Sequence, residues 1–99
     1  MLRGNLALTY LHVGRLEESI NLQTQTLTGR ERVLGAEHPY TLVSRHNLAV
    51  AHKSAGRLDE AITLLRQTFA ACERVLGMAH PTTEIVRGSL IAARRDGGV

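Results

Sequence analysis

The sequence predicts an all-α chain folded as an α-solenoid of antiparallel helix pairs, and three observations predict it. The chain matches itself at a shift of about 42 residues, apolar residues recur at three- and four-residue steps within each period, and Pro and Gly punctuate each period where helices start and stop. No segment shows the two-residue alternation of a strand.

The repeat carries the most weight. Asn5-Leu6-Ala7 falls on Asn47-Leu48-Ala49, Gly14-Arg15-Leu16 on Gly56-Arg57-Leu58, and Glu31-Arg32-Val33-Leu34-Gly35 on Glu73-Arg74-Val75-Leu76-Gly77. His38-Pro39 falls on His80-Pro81, with Thr41 on Thr83. Roughly 24 of the 57 overlapping positions are identical, far more than unrelated segments share.

The punctuation then sets each element. Helices are predicted at about 1–12, 15–34, 39–54, 57–76 and 81–95, five in all and about two and a half repeats. Gly14 and Gly56 are read as breaks within the pairs. Gly35 and Gly77, after Val-Leu, are placed to take the left-handed conformation that closes a helix. Pro39 and Pro81 suit a first helical turn, where a missing amide hydrogen is no loss. His38 and His80, beside those prolines, are read as turn residues that satisfy helix-start amides. The chain therefore divides into a partial first repeat (1–38), a complete second repeat (39–80), a terminal or capping helix (81–95) and a tail (96–99), all one domain.

Leu58, Ile62, Leu65, Phe69, Cys72 and Leu76 form one apolar stripe, flanked by Ala61 and Val75. The matching helix keeps Leu16, Ile20, Leu27 and Leu34 but is diluted by Gln23 and Thr24. Leu6, Ala7, Leu48, Ala49 and Leu90 supply the complementary surface. One pair cannot cover both of its apolar flanks, so neighbouring pairs must stack.

Composition narrows the function classes. Of 99 residues, 43% are hydrophobic and 21% charged, with two prolines, a globular balance. The longest apolar run is far short of the roughly 20 residues that span a bilayer. One cysteine cannot form an internal disulfide, and the expected setting is cytoplasmic, without a membrane. The +3 charge comes from cations spread along the chain, several with acids nearby, such as Glu17 and Glu18 near Arg15 and Glu73 beside Arg74, and there are only two tyrosines and one phenylalanine to stack on bases. Nucleic acid is therefore a poor partner.

Chemistry-bearing groups do not converge. His46 and His52 are six positions apart, on different sides of a helix, so no metal site is expected. Cys72 lies on the apolar stripe without a basic neighbour, and no nucleophile and base share a register. The reading is a non-enzyme that needs no cofactor and takes no small-molecule substrate.

Asn-Leu-Ala, Gly-Arg-Leu-x-Glu-(Ala/Ser)-Ile, Arg-Val-Leu-Gly and His-Pro-x-Thr at this spacing resemble the tetratricopeptide repeat, in the longer form found in kinesin light chains and many bacterial repeat proteins. The resemblance implies a superhelical stack whose first helices line a concave groove for a partner's peptide segment, in a scaffold, an adaptor or the sensing arm of a larger protein. On this sequence the implied partner-binding positions of the middle repeat are Val43, His46, Asn47, Val50, Lys53 and Ser54. Steps of three and four independently put these on one helix face, offset from Leu48 and Ala49. The equivalents in the first helix are Gly4, Asn5, Leu8, Leu11 and His12, and in the last Ile85, Gly88, Ser89, Ala92 and Arg95. Asn5 and Asn47 are singled out because a side-chain amide can clasp a peptide backbone without demanding a particular side chain. Arg3, Arg45 and Arg87 also keep register, and packing of their aliphatic stems is the favoured reading over a ladder for carboxylates. The alternative function is assembly: homo-oligomerisation through uncapped solenoid ends, by stacking or exchanging helices.

Overall fold

The computed structural model describes residues 2–97, with side chains described from residue 14 onward. It contains four helices: α1 (Leu2–Leu34), α2 (Pro39–Ser54), α3 (Leu58–Val75) and α4 (Pro81–Asp96). α2 packs against α1 and α3, α4 packs against α3, and α4 also touches α2 along one edge.

The start of each repeat follows the local chemistry. Pro39 and Pro81 open α2 and α4, and the Nδ1 atoms of His38 and His80 accept hydrogen bonds of 3.1 Å from the amides of Tyr40 and Thr82. Each ring thus satisfies one of the four amides that a helix start leaves unpaired. Gly35 and Gly77 take φ of 96° and 90°, the left-handed closure expected of them.

Four helices replace the five expected, because the chain does not turn at Gly14. At the equivalent Gly56 it does. The Gly56 amide donates to the Lys53 carbonyl at 3.0 Å and the Arg57 amide to the His52 carbonyl at 2.8 Å, with Gly56 at φ 81°. These are the paired bonds of a Schellman closure. Glycine permits this conformation without compelling it, and no proline at 14–16 removes a helical amide. A turn also needs a rewarding hairpin. Ser19, Gln23 and Arg30 stand in the first repeat where Ala61, Leu65 and Cys72 stand in the second, so the first repeat's stripe offers less apolar surface to a core. The intrahelical bonds win, and α1 runs unbroken for 33 residues, about 50 Å at 1.5 Å per residue.

The core sits where α2, α3 and α4 meet. Leu42 and Ala49 of α2, Leu65, Ala71 and Cys72 of α3, and Val86, Leu90 and Ala93 of α4 form one buried cluster, with Ile62, Phe69 and Leu76 packed against it. Leu42 and Leu65 are 0% and 1% exposed. A smaller cluster joins Ile20 of α1 to Leu48 and Ala51 of α2, with Leu27 and Leu64 alongside. The apolar stripe read on residues 58–76 is thus the face that holds the repeats together.

Ion pairs cross between elements: Arg57 to Glu17 at 2.7 Å, Arg45 to Glu31 at 3.2 Å, and Arg74 to Glu37. These are partly or largely exposed, and pairs of that kind contribute about 0–1 kcal/mol each. Arg45 is thereby engaged within the fold, while Arg87 is exposed and Arg3 lies outside the described side chains.

Candidate functional site

The face of α2 that carries Asn47 and Val50 is flanked by two cavities. The first, of about 400 Å³, lies between α2 and α4 and is lined by Val50, Lys53, Ile85, Gly88, Ser89 and Ala92, with Leu65 of α3 at its floor. Val50 and Ile85 are 40% and 58% exposed, so its rim is aliphatic and open to solvent. Gly88 also lines it, and a Cβ added there would meet nothing within 4 Å. The second, of about 340 Å³, lies between α1 and α2 and is lined by Leu16, Ser19, Gln23, His46, Asn47 and Ser54, sharing Val50 with the first.

Helical spacing on α2 places all of these residues, since 46, 47, 50, 53 and 54 fall on one side while Leu42, Leu48 and Ala49 anchor the other flanks in the core. The structure therefore brings His46, Asn47, Val50, Lys53 and Ser54 to a shared trough. Val43 is half-buried and lines neither cavity, and Arg95 is exposed on α4 beyond the first. Asn5, Leu8, Leu11 and His12 lie outside the residues whose side chains are described. Leu16, Ser19 and Gln23 line the trough although sequence reasoning did not select them. The signal was present: polar Ser19 and Gln23 occupy positions that are apolar Ala61 and Leu65 one repeat later. A stripe position that turns polar has usually left the core.

Two polar groups in the trough are already engaged. Lys53 Nζ lies 3.0 Å from Asp96 Oδ2, which ties α2 to the end of α4 and partly neutralises this cation. His46 Nε2 lies 2.8 Å from Ser89 Oγ, joining α2 to α4 across the trough. Burial holds the His46 imidazole below its ordinary pKa, because the charged ring is poorly solvated there. In the unfolded chain it returns to about 6.5, so on acidification the unfolded state takes up the proton first. Stability is then lost as pH falls through about 6.5 toward the lower folded value. Denaturant midpoints at pH 7.5 and 5.5 should show a larger acid loss for the native chain than for His46→Gln, which keeps a hydrogen-bonding group and cannot titrate. An equal loss in both would show that His46 is not a source.

Burial also raises the Cys72 thiol, consistent with a small apolar core residue. Among the described residues no group of three or more His, Cys, Asp or Glu could hold a metal ion, and no helix is long and apolar enough to cross a membrane.

Helices α1 to α4 packed one upon the next, carrying a repeat of about 42 residues and an open trough on α2, define the class: a helical-repeat array. The tetratricopeptide repeat family model matches residues 1–81, and the chain belongs to that family. Repeats of this family generally mediate protein–protein interaction. Among solved structures, the chain is similar to a crystal structure of a Podosopora anserina putative kinesin light chain with nearly identical TPR-like repeats, at 32% identity and a TM-score of 0.81. A crystal structure of a single-site variant of that protein matches equally, at 32% identity and 0.81. Each match covers 95% of this chain and 44% of the other, so this chain spans less than half the length of those relatives. No curated protein matches the chain.

Proposed function

We propose that this chain binds a peptide segment of another protein along the trough on α2, as a noncatalytic scaffold, adaptor or sensing arm. The observation that carries this reading is the cavity between α2 and α4, lined by exposed Val50 and Ile85 together with buried Leu65. An aliphatic side chain of a partner fits that aliphatic rim, and burying it there is worth about 1.5–3 kcal/mol. Asn47, exposed one turn away, supplies two donors and an acceptor for the partner's backbone, which fixes register.

Selection of a displayed random-peptide library on the native chain tests this. The peptides recovered should bind Asn47→Ala/Lys53→Ala at least about tenfold more weakly, as expected when contacts worth 1.4 kcal/mol are lost. Helicity and melting temperature should be nearly unchanged, because Asn47 is exposed and the Lys53–Asp96 pair is a partly exposed one. Peptides indifferent to the double substitution would remove the trough as the site.

A second reading, assembly with further copies of the chain, has one specific observation in its favour. α1 leaves Leu22 and Val33 63% and 78% exposed.

A further inference from the structure

We propose that two copies of this chain pair through antiparallel α1 helices, residues 2–13 of each lying on the 15–26 face of the other, about a two-fold axis near Gly14. This rests on the assembly reading and is independent of the peptide reading.

The bare face of α1 runs through Leu22, Thr26, Gly29 and Val33, all on one side by helical spacing. A shift of about 42 residues carries these positions to Leu64, Thr68, Ala71 and Val75 of α3. There the hairpin is closed: Thr68 and Ala71 are buried, and Leu64 packs against the cluster that holds Leu48 and Ala51 of α2. The first repeat thus presents the face by which α3 holds α2, with nothing from its own pair upon it. The sequence says what fits. Residues 2–13 are the repeat copy of 44–55, with Asn5-Leu6-Ala7 standing where Asn47-Leu48-Ala49 stand in α2. Yet α1 is continuous from Leu2 to Leu34, so those residues lie in line with the face and cannot fold onto its side. A second chain's residues 2–13 can.

The register makes that contact reciprocal. A hairpin that turns at Gly56 sets opposite each other positions equidistant from it, such as 48 and 64. The same antiparallel register about Gly14 sets 6 opposite 22 and 9 opposite 19. Two unbroken helices crossing at Gly14 satisfy both halves at once, 6 on the partner's 22 and 22 on the partner's 6, which is the self-complementary form of a two-fold dimer. Packing is gained without breaking the helix, which intramolecular closure would require.

The exchange also completes the trough. Val50 and Lys53 wall the cavity between α2 and α4, and the corresponding wall of the cavity at Gln23 and Asn47 falls by register on Leu8 and Leu11. In the exchanged dimer that wall is the second chain's.

The test uses the full chain. Light scattering from micromolar to millimolar concentration should give twice the chain mass, and Leu22→Arg/Thr26→Asp should halve it with ellipticity retained. Thr9→Cys/Ser19→Cys treated with a short bismaleimide should run as a cross-linked dimer on a denaturing gel, Cys72 being buried and protected. A doubled mass with the bridge formed within one chain, or not formed, overturns the exchange and leaves assembly standing. A single-chain mass at all concentrations overturns both.

Discussion

Replacing Leu65 by Ala is expected to lower stability by about 2–5 kcal/mol, the range for deleting a buried leucine side chain and leaving part of its volume empty. Leu65 is 1% exposed and meets α2 and α4 within the main cluster, so its loss loosens both interfaces of α3 together. In a chain this short each kcal/mol moves the melting point by about 4–8 °C, so thermal circular dichroism should show a fall of at least about 8 °C. Gln23, the matching residue one repeat earlier, lies half-buried in the α1–α2 trough, and Gln23→Ala should change stability by no more than about 0.5 kcal/mol. Similar losses at the two positions would mean that both repeats share one core, against the packing described. Leu65 is also the floor beneath Val50 and Ile85, so a variant that stays folded should lose peptide affinity as well.

That contrast explains which parts of the molecule were legible in the sequence. The α2–α3–α4 unit was, because each signal there has a local physical cause: proline at the first turn, a histidine ring accepting a helix-start amide, a left-handed glycine at each Val-Leu-Gly, and a stripe that stays apolar from Leu58 to Leu76. The trough positions on α2 came from the family resemblance, and helical spacing allows them, since it separates Asn47 and Val50 from Leu48 and Ala49. The break at Gly14 was misread because the motif Gly-Arg-Leu states only that a turn is permitted. Whether it forms depends on the packing that follows, and Ser19, Gln23 and Arg30 had already altered that packing. The engagement of Lys53 by Asp96 was beyond sequence reading, since the two residues are distant in the chain and meet only where α4 returns beside α2.

Gly14 and Gly56 occupy one motif in two conformations, so the same substitution should act with opposite sign at the two sites. Gly56→Ala forces a Cβ into a backbone at φ 81°, which costs about 1–2 kcal/mol for a residue with a side chain. It strains the closure that returns α3 onto α2, on which the whole main cluster depends. Gly14→Ala places the Cβ inside a helix, where it meets nothing within 4 Å and Ala is favoured over Gly by about 1 kcal/mol. Thermal unfolding should therefore show the melting point falling for Gly56→Ala and rising for Gly14→Ala. The two variants also test the unbroken α1 directly. Were the chain to turn at Gly14 as it does at Gly56, both positions would need the left-handed conformation and both substitutions would destabilise. A fall at both sites would restore the fifth helix, and a fall at one with a rise at the other is what a continuous α1 requires.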